Sequence, residues 1–168
     1  MILKIRIGHW RFTFSFAPVV DVIGVNSKLP DGNHILMWDF DGVQFENVYN
    51  ELWTTQMFFK LPNIYILNTG APDHYIAYCF KRTPWHDAVH IISTSPSIDW
   101  SWFKWGMYRD HFTLRVTPKC NRNIKLAEVL RSSVPENCSV YTLQSWVKYE
   151  TLQDNWPYKE IFIPKGDK

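Results

Sequence analysis

The chain has 168 residues, 46% of them hydrophobic and 20% charged, a globular composition long enough to bury a core without staples. Eighteen Lys and Arg against sixteen Asp and Glu leave a net charge of +2, so no global basic field marks it for nucleic acid. Three cysteines, Cys79, Cys120 and Cys138, stand far apart; this spacing excludes a structural zinc cluster and a disulfide framework, and it fits a reducing, cytoplasmic compartment.

Residues 3–16 (LKIRIGHWRFTFSF) alternate and predict one or two strands, a hairpin broken near Gly8 and His9. The segment has neither the unbroken apolar run of a membrane span nor the cleavage site of a signal peptide. Residues 18–32, punctuated by Pro18, Gly24, Pro30 and Gly32, read mostly as loop. Residues 34–40 predict a buried strand that ends at Asp39 and Asp41. Residues 46–60 place Val48, Leu52, Gln56 and Phe59 at helical spacing, ended by Leu61-Pro62.

Residues 63–68 and 74–81 predict two strands joined by the turn Thr69-Gly70-Ala71-Pro72-Asp73. Residues 84–93 predict a helix, with Thr83 as N-cap and Pro84 first in the helix. An aromatic segment, WSWFKWGMY, follows Asp99. Residues 111–117 predict a further strand, and residues 125–151 one or two helices. From residue 35 to 117 the order is β-α-β-β-α-β. The expected fold is therefore α+β, a ferredoxin-like core with an antiparallel-dominated sheet, extra N-terminal strands and C-terminal helices, all in a single domain spanning 1–168.

On a strand, residues two apart share a face, so Asp39 and Asp41 project together. Two carboxylates so placed repel, and a hard divalent cation with a preference for oxygen ligands relieves that repulsion. A solvated strand end also explains such a pair. Asp73, Asp87, Asp99 and Asp110 are candidate third ligands, and Asp99 has the most suitable position, before the strand expected beside that of Asp39. In residues 111–117 Phe112, Leu114 and Val116 take one face while Thr113, Arg115 and Thr117 take the other. A mid-sheet Arg115 calls for an acid or a phosphate. The aromatic share of 17%, with nine Trp, fits a bulky core or stacking platforms. Residues 109–131 form a local basic strip in a nearly neutral chain.

Together these segments resemble the catalytic core of archaeo-eukaryotic primases and primase-polymerases. That family has a strand ending hhhDhD, matched by ILMWDFD with Asp39 and Asp41. Its SGxGxH hairpin is matched by TGAPDH with Thr69, Gly70 and His74 in register, and its third Asp and Arg-bearing strand by SIDW and FTLRVTPK with Asp99 and Arg115. The likeness spans about half the chain. It departs in Thr69 for the serine, Pro72 for the second glycine, and Ala71 where a basic residue is frequent.

The resemblance implies a minimal module of the kind found in viruses and plasmids, a template-dependent nucleotidyltransferase. Asp39, Asp41 and Asp99 would hold magnesium or manganese. Thr69, Gly70, His74, Arg115 and Lys119 would receive a nucleoside triphosphate. Lys104, Arg109 and Arg122, with Trp102 and Trp105, would contact single-stranded DNA or a primer-template. A separate helicase or accessory subunit is an expected partner.

Two alternatives compete. ILMWDFDGV also resembles the opening motif of haloacid-dehalogenase-like phosphohydrolases, with Asp39 as nucleophile, Asp41 as general acid/base and Thr69 on the phosphate. That family implies a parallel doubly wound sheet, and a downstream acidic pair is missing. The other alternative is a non-catalytic, ferredoxin-like nucleic-acid-binding module, although two aspartates on its sheet would repel a phosphate backbone.

Overall fold

The alternating N-terminal residues form two strands, as their period of two requires. β1 (Ile2–Ile7) and β2 (Trp10–Ser15) pair antiparallel, with Ile2 opposite Ser15 and Ile7 opposite Trp10. The computed structural model describes residues 2–7, 10–15, 19–118, 122–138, 146–152 and 158–163. The expected turn at Gly8 and His9 thus lies outside the described residues, as do Lys119 and Cys120. The architecture is α+β, with antiparallel pairing dominant. The chain falls into two compact units, residues 1–22 with 149–168, and residues 23–148. In the first, β1 sits between β2 and β10 (Tyr158–Ile163), which runs parallel to it.

The second unit holds every described candidate residue. Residues 18–32 were expected as loop, but the β-branched run VVDVIGVN forms strand β3 (Val19–Asn26). The apolar run ending in the aspartates is β4 (His34–Asp41). Helix α1 (Phe45–Phe59) follows, burying Val48, Leu52, Thr55 and Gln56. It stops at Lys60, which is left-handed and donates its N–H to the Gln56 carbonyl. β5 (Ile64–Asn68) and β6 (His74–Thr83) form the predicted hairpin.

Helix α2 (Trp85–Ser93) starts one residue later than predicted, with Pro84 at the cap position. Thr83 does not cap it: this residue ends β6, and its hydroxyl donates to the Lys81 carbonyl. The aromatic segment left unassigned by sequence is helix α3 (Trp100–Arg109). β7 is shorter than predicted, Thr113–Arg115, and pairs antiparallel with β3, Leu114 lying opposite Val25.

The C-terminal helices are a misreading. The regular elements among the described residues of that region are strands, β8 (Lys125–Leu130) and β9 (Trp146–Leu152), with irregular chain over 131–138; residues 139–145 lie outside the described residues. KLAEVL is rich in helix formers, but β5 presents an unpaired edge, and sheet pairing with Ile64 opposite Leu130 overrides that local preference.

β4, β6, β5 and β8 make one sheet in that order, antiparallel at every step. Leu36, Trp38 and Phe40 point to one face and are fully buried. α1 covers that face: its Phe45 packs at 5.5 Å on Tyr75, the cross-strand neighbour of Phe40. Each large side chain so buried contributes about 1.5–3 kcal/mol. Asp39 and Asp41 take the opposite face. The outer edge of β4 is covered by loops, the Ile35 N–H donating to Ser27 O (2.9 Å) and the Asp39 carbonyl accepting from the Asp99 N–H (2.8 Å).

Candidate active site

Strand alternation sets the first pair, and the β4–β6 register adds the third group. Asp41 lies directly opposite His74, and His74 Nδ1 stands 2.6 Å from Asp41 Oδ1. An ionised carboxylate only accepts, so this ring nitrogen carries the proton and Nε2 is left for a ligand. Left-handed Gly42 (φ 71°) turns the chain immediately after the aspartates. The Val43 N–H then donates to Asp73 O (2.9 Å), tying the end of β4 to the β5–β6 turn.

Asp39 is half-buried, whereas Asp41 is exposed. Burial, and after it the neighbouring charges of Asp41 and Asp99, push the Asp39 carboxyl up to about 7; Arg115 pulls the other way. Those three side chains therefore lie within electrostatic reach of Asp39, and two of them, Asp99 and Arg115, are distant from it in sequence. Asp39, Asp41 and Asp99 thus stand close enough at the C-terminal end of β4 for their charges to interact.

Asp99 reaches this place by two devices. Its N–H bonds to Asp39 O, and its carboxylate caps α3, accepting from the Ser101 N–H at 2.8 Å. The loop before it is anchored by Glu51 of α1, whose carboxylate accepts from the Ser97 hydroxyl (2.5 Å) and N–H (3.2 Å). The sequence analysis overlooked Glu51; nothing in its helical position signals a partner 46 residues away. α3 itself did carry a signal, an Asp followed by ten residues without proline.

The hairpin residues are placed as follows. Thr69 closes the turn, its N–H donating to His74 O (3.1 Å). Gly70 has φ +85°, and its N–H bonds to Asn68 Oδ1. A Cβ at Gly70 would lie 2.9 Å from the Cβ of Arg122 and from Asn123 O, so the glycine is needed for that close approach. Arg122, expected at a template, is thus half-buried beside the β5–β6 turn. Arg115 is half-buried and also donates to Thr117 O (2.8 Å).

Lys104 and Arg109 lie on exposed positions of α3. Trp102 faces inward: its Nε1–H donates to Thr113 O (2.8 Å), and its ring stacks on Phe112 at 4.7 Å. Trp105 points out. Lys119 lies outside the described residues.

Three carboxylates are the donor chemistry of a hard divalent ion; the Asp39 carboxyl is raised first by burial and only then by the charges of Asp41 and Asp99. Among the described residues, no three Asp, Glu, His or Cys side chains are grouped so as to hold a metal ion. Asp41 is turned to His74 and Asp99 to the end of its helix. Also among the described residues, no helix is long and apolar enough to cross a membrane. Comparison with protein-family models, curated proteins and solved structures finds no match.

Proposed function

We propose that the protein is a primase-polymerase-like nucleotidyltransferase, adding nucleoside triphosphates to a 3′-hydroxyl on a nucleic-acid template. The observation that supports this reading is that Asp41, Asp99 and Arg115 all act electrostatically on Asp39, with Asp41 bonded to His74 and the Asp99 N–H bonded to the Asp39 carbonyl. The strand order adds support. β4, β6 and β5, with α1 between β4 and β5, have the order of the first three strands of a ferredoxin-like unit. The fourth strand of such a unit, β7, pairs with β3 here, and β8 flanks β5 instead.

Asp39, Asp41 and Asp99 would hold magnesium or manganese, which supplies neutralisation of the triphosphate and activation of the attacking hydroxyl. His74 is oriented by Asp41 and, when its ring is doubly protonated, would donate from Nε2 to a phosphate oxygen. Arg115 brings a fixed guanidinium to the same place, suited to paired phosphate oxygens. These groups orient and stabilise charge; none needs to move a proton along the chain. The phosphohydrolase reading expects a parallel doubly wound sheet around Asp39, and the antiparallel pairing of β4 with β6 speaks against it.

The test is primer extension with labelled nucleotide and manganese. Extension by the wild type, reduced at least about a hundredfold by Asp39→Ala and by Asp41→Ala, is the expected result. No extension, or extension that survives both substitutions, overturns the reading.

A further inference from the structure

α3 has two faces of opposite character. Inward, Trp102 and Phe103 stack on Phe112. Gly106 admits the Phe112 ring so closely that a Cβ there would lie 2.2 Å from it. These contacts fix the helix firmly to the fold. Outward, Trp100, Trp105 and Tyr108 are 46%, 59% and 82% exposed, an arrangement that an ordinary solvated surface does not collect.

Ser101, Lys104, Trp105 and Tyr108 follow the three-and-four spacing of one helix face and line a shallow groove of about 500 Å³. Trp105 and Tyr108 meet edge to face at 6.0 Å, and the Arg109 guanidinium lies 5.5 Å from the centre of the Trp105 ring. Between residues 100 and 109 there is no Asp or Glu. The face therefore offers flat π-surfaces interleaved with cations, with acids only at the two ends of the helix, Asp99 and Asp110.

We propose that this outer face of α3 is a landing platform for single-stranded nucleic acid, with bases stacking on Trp105 and Tyr108 and phosphates meeting Lys104 and Arg109. The strand's role as template rests on the nucleotidyltransfer reading; its binding rests on α3 alone. Charge selects the occupant. An apolar partner helix would cover two cations without pairing them, whereas an anionic strand pairs both and still offers bases to the rings. Length agrees as well. Ten residues of helix span about 15 Å, room for three or four nucleotides at roughly 3.4 Å each. Position agrees too: the helix begins directly after Asp99, so a strand lying along it leads to the acids.

The experiment is fluorescence anisotropy of a short labelled oligothymidylate. Trp105→Ala and Tyr108→Ala each weaken binding about tenfold. Lys104→Gln and Arg109→Gln each reduce the slope of log affinity against log salt by about 0.7. Trp53→Ala, at a half-exposed tryptophan on α1 rather than α3, leaves affinity unchanged. Circular dichroism establishes that each variant stays folded.

Absence of wild-type binding at low salt, or affinity indifferent to the α3 substitutions, overturns the proposal. So does a Trp105→Ala variant that changes oligomeric state and leaves strand binding intact. The two readings fail separately. Asp39→Asn is expected to end extension while keeping oligonucleotide affinity, and variant-sensitive binding by a protein that never extends a primer sinks only the nucleotidyltransfer reading.

Discussion

The two faces of β4 divide stability from charge. On one, Leu36, Trp38 and Phe40 are sealed under α1 and have no exposure at all. On the other, Ile35 and Met37 are buried equally well, but the strand then turns polar, with Asp39 half-buried and Asp41 exposed. A strand can end in two repelling acids because its hold on the fold comes from the residues between and behind them. Neighbours in sequence should therefore answer mutation very differently.

Phe40 and Asp41 give the sharpest contrast. Phe40→Ala empties a fully buried site and should lower stability by about 3–5 kcal/mol in urea unfolding. Asp41→Asn, one residue on, removes an exposed partner of His74 and should change stability by less than about 1 kcal/mol. Equal losses from the two would mean that the acid end of β4 is structural, and the division of labour would fail.

Asp39 lies between these extremes, and pH exposes its position. Its folded-state carboxyl is pushed up to about 7, first by burial and then by Asp41 and Asp99. The folded protein thus holds that proton more tightly than the unfolded chain, whose carboxyl has the ordinary value near 3.8. The stabilising contribution is complete below about 4 and is lost as pH rises through 7, the reverse of a salt-bridged aspartate. Asp39→Asn should match wild type near pH 4 and exceed it at pH 8, by on the order of a few kcal/mol. Manganese at pH 8 should raise the wild-type melting temperature and leave that of Asp39→Asn nearly unchanged. A flat difference between the two proteins across pH would remove Asp39 from the acid cluster.

The legibility of the chain follows the same division. Short apolar runs bounded by turn residues exposed β4, β5 and β6, and helical spacing exposed α1, because such patterns record surfaces that must be buried. The carboxylate pair was readable from a period of two; the Asp41–His74 contact was not, because it depends on the pairing of β4 with β6 across α1 and β5. What failed depends on partners remote in sequence. KLAEVL suits a helix alone and becomes β8 only because β5 needs a neighbour. β3 hid behind its flanking prolines and glycines, and β7 joined it rather than β4. Trp102 and Trp105 looked alike in sequence, and only the packing of Phe112 against one side of α3 separates the inward ring from the outward one.

Two glycines test the acid end at its smallest scale. Gly42 and Gly70 both have left-handed backbones, φ +71° and +85°, so an alanine at either carries the same local penalty of about 1–2 kcal/mol. Their surroundings differ. Nothing lies within 4 Å of a Cβ added at Gly42, whereas one added at Gly70 meets Arg122 and the carbonyl of Asn123 at 2.9 Å. Because the Asn123 contact is backbone, it cannot turn aside as a long side chain would. Gly70→Ala should therefore destabilise by about 1 kcal/mol more than Gly42→Ala, the usual scale for forcing extra atoms into a filled site. If Arg122 serves the neighbouring nucleotide hairpin, Gly70→Ala should also raise the KM for nucleotide while Gly42→Ala leaves it unchanged. Equal penalties for the two alanines, measured by urea unfolding, would show that Arg122 and Asn123 yield easily and that the hairpin glycine answers to backbone conformation alone.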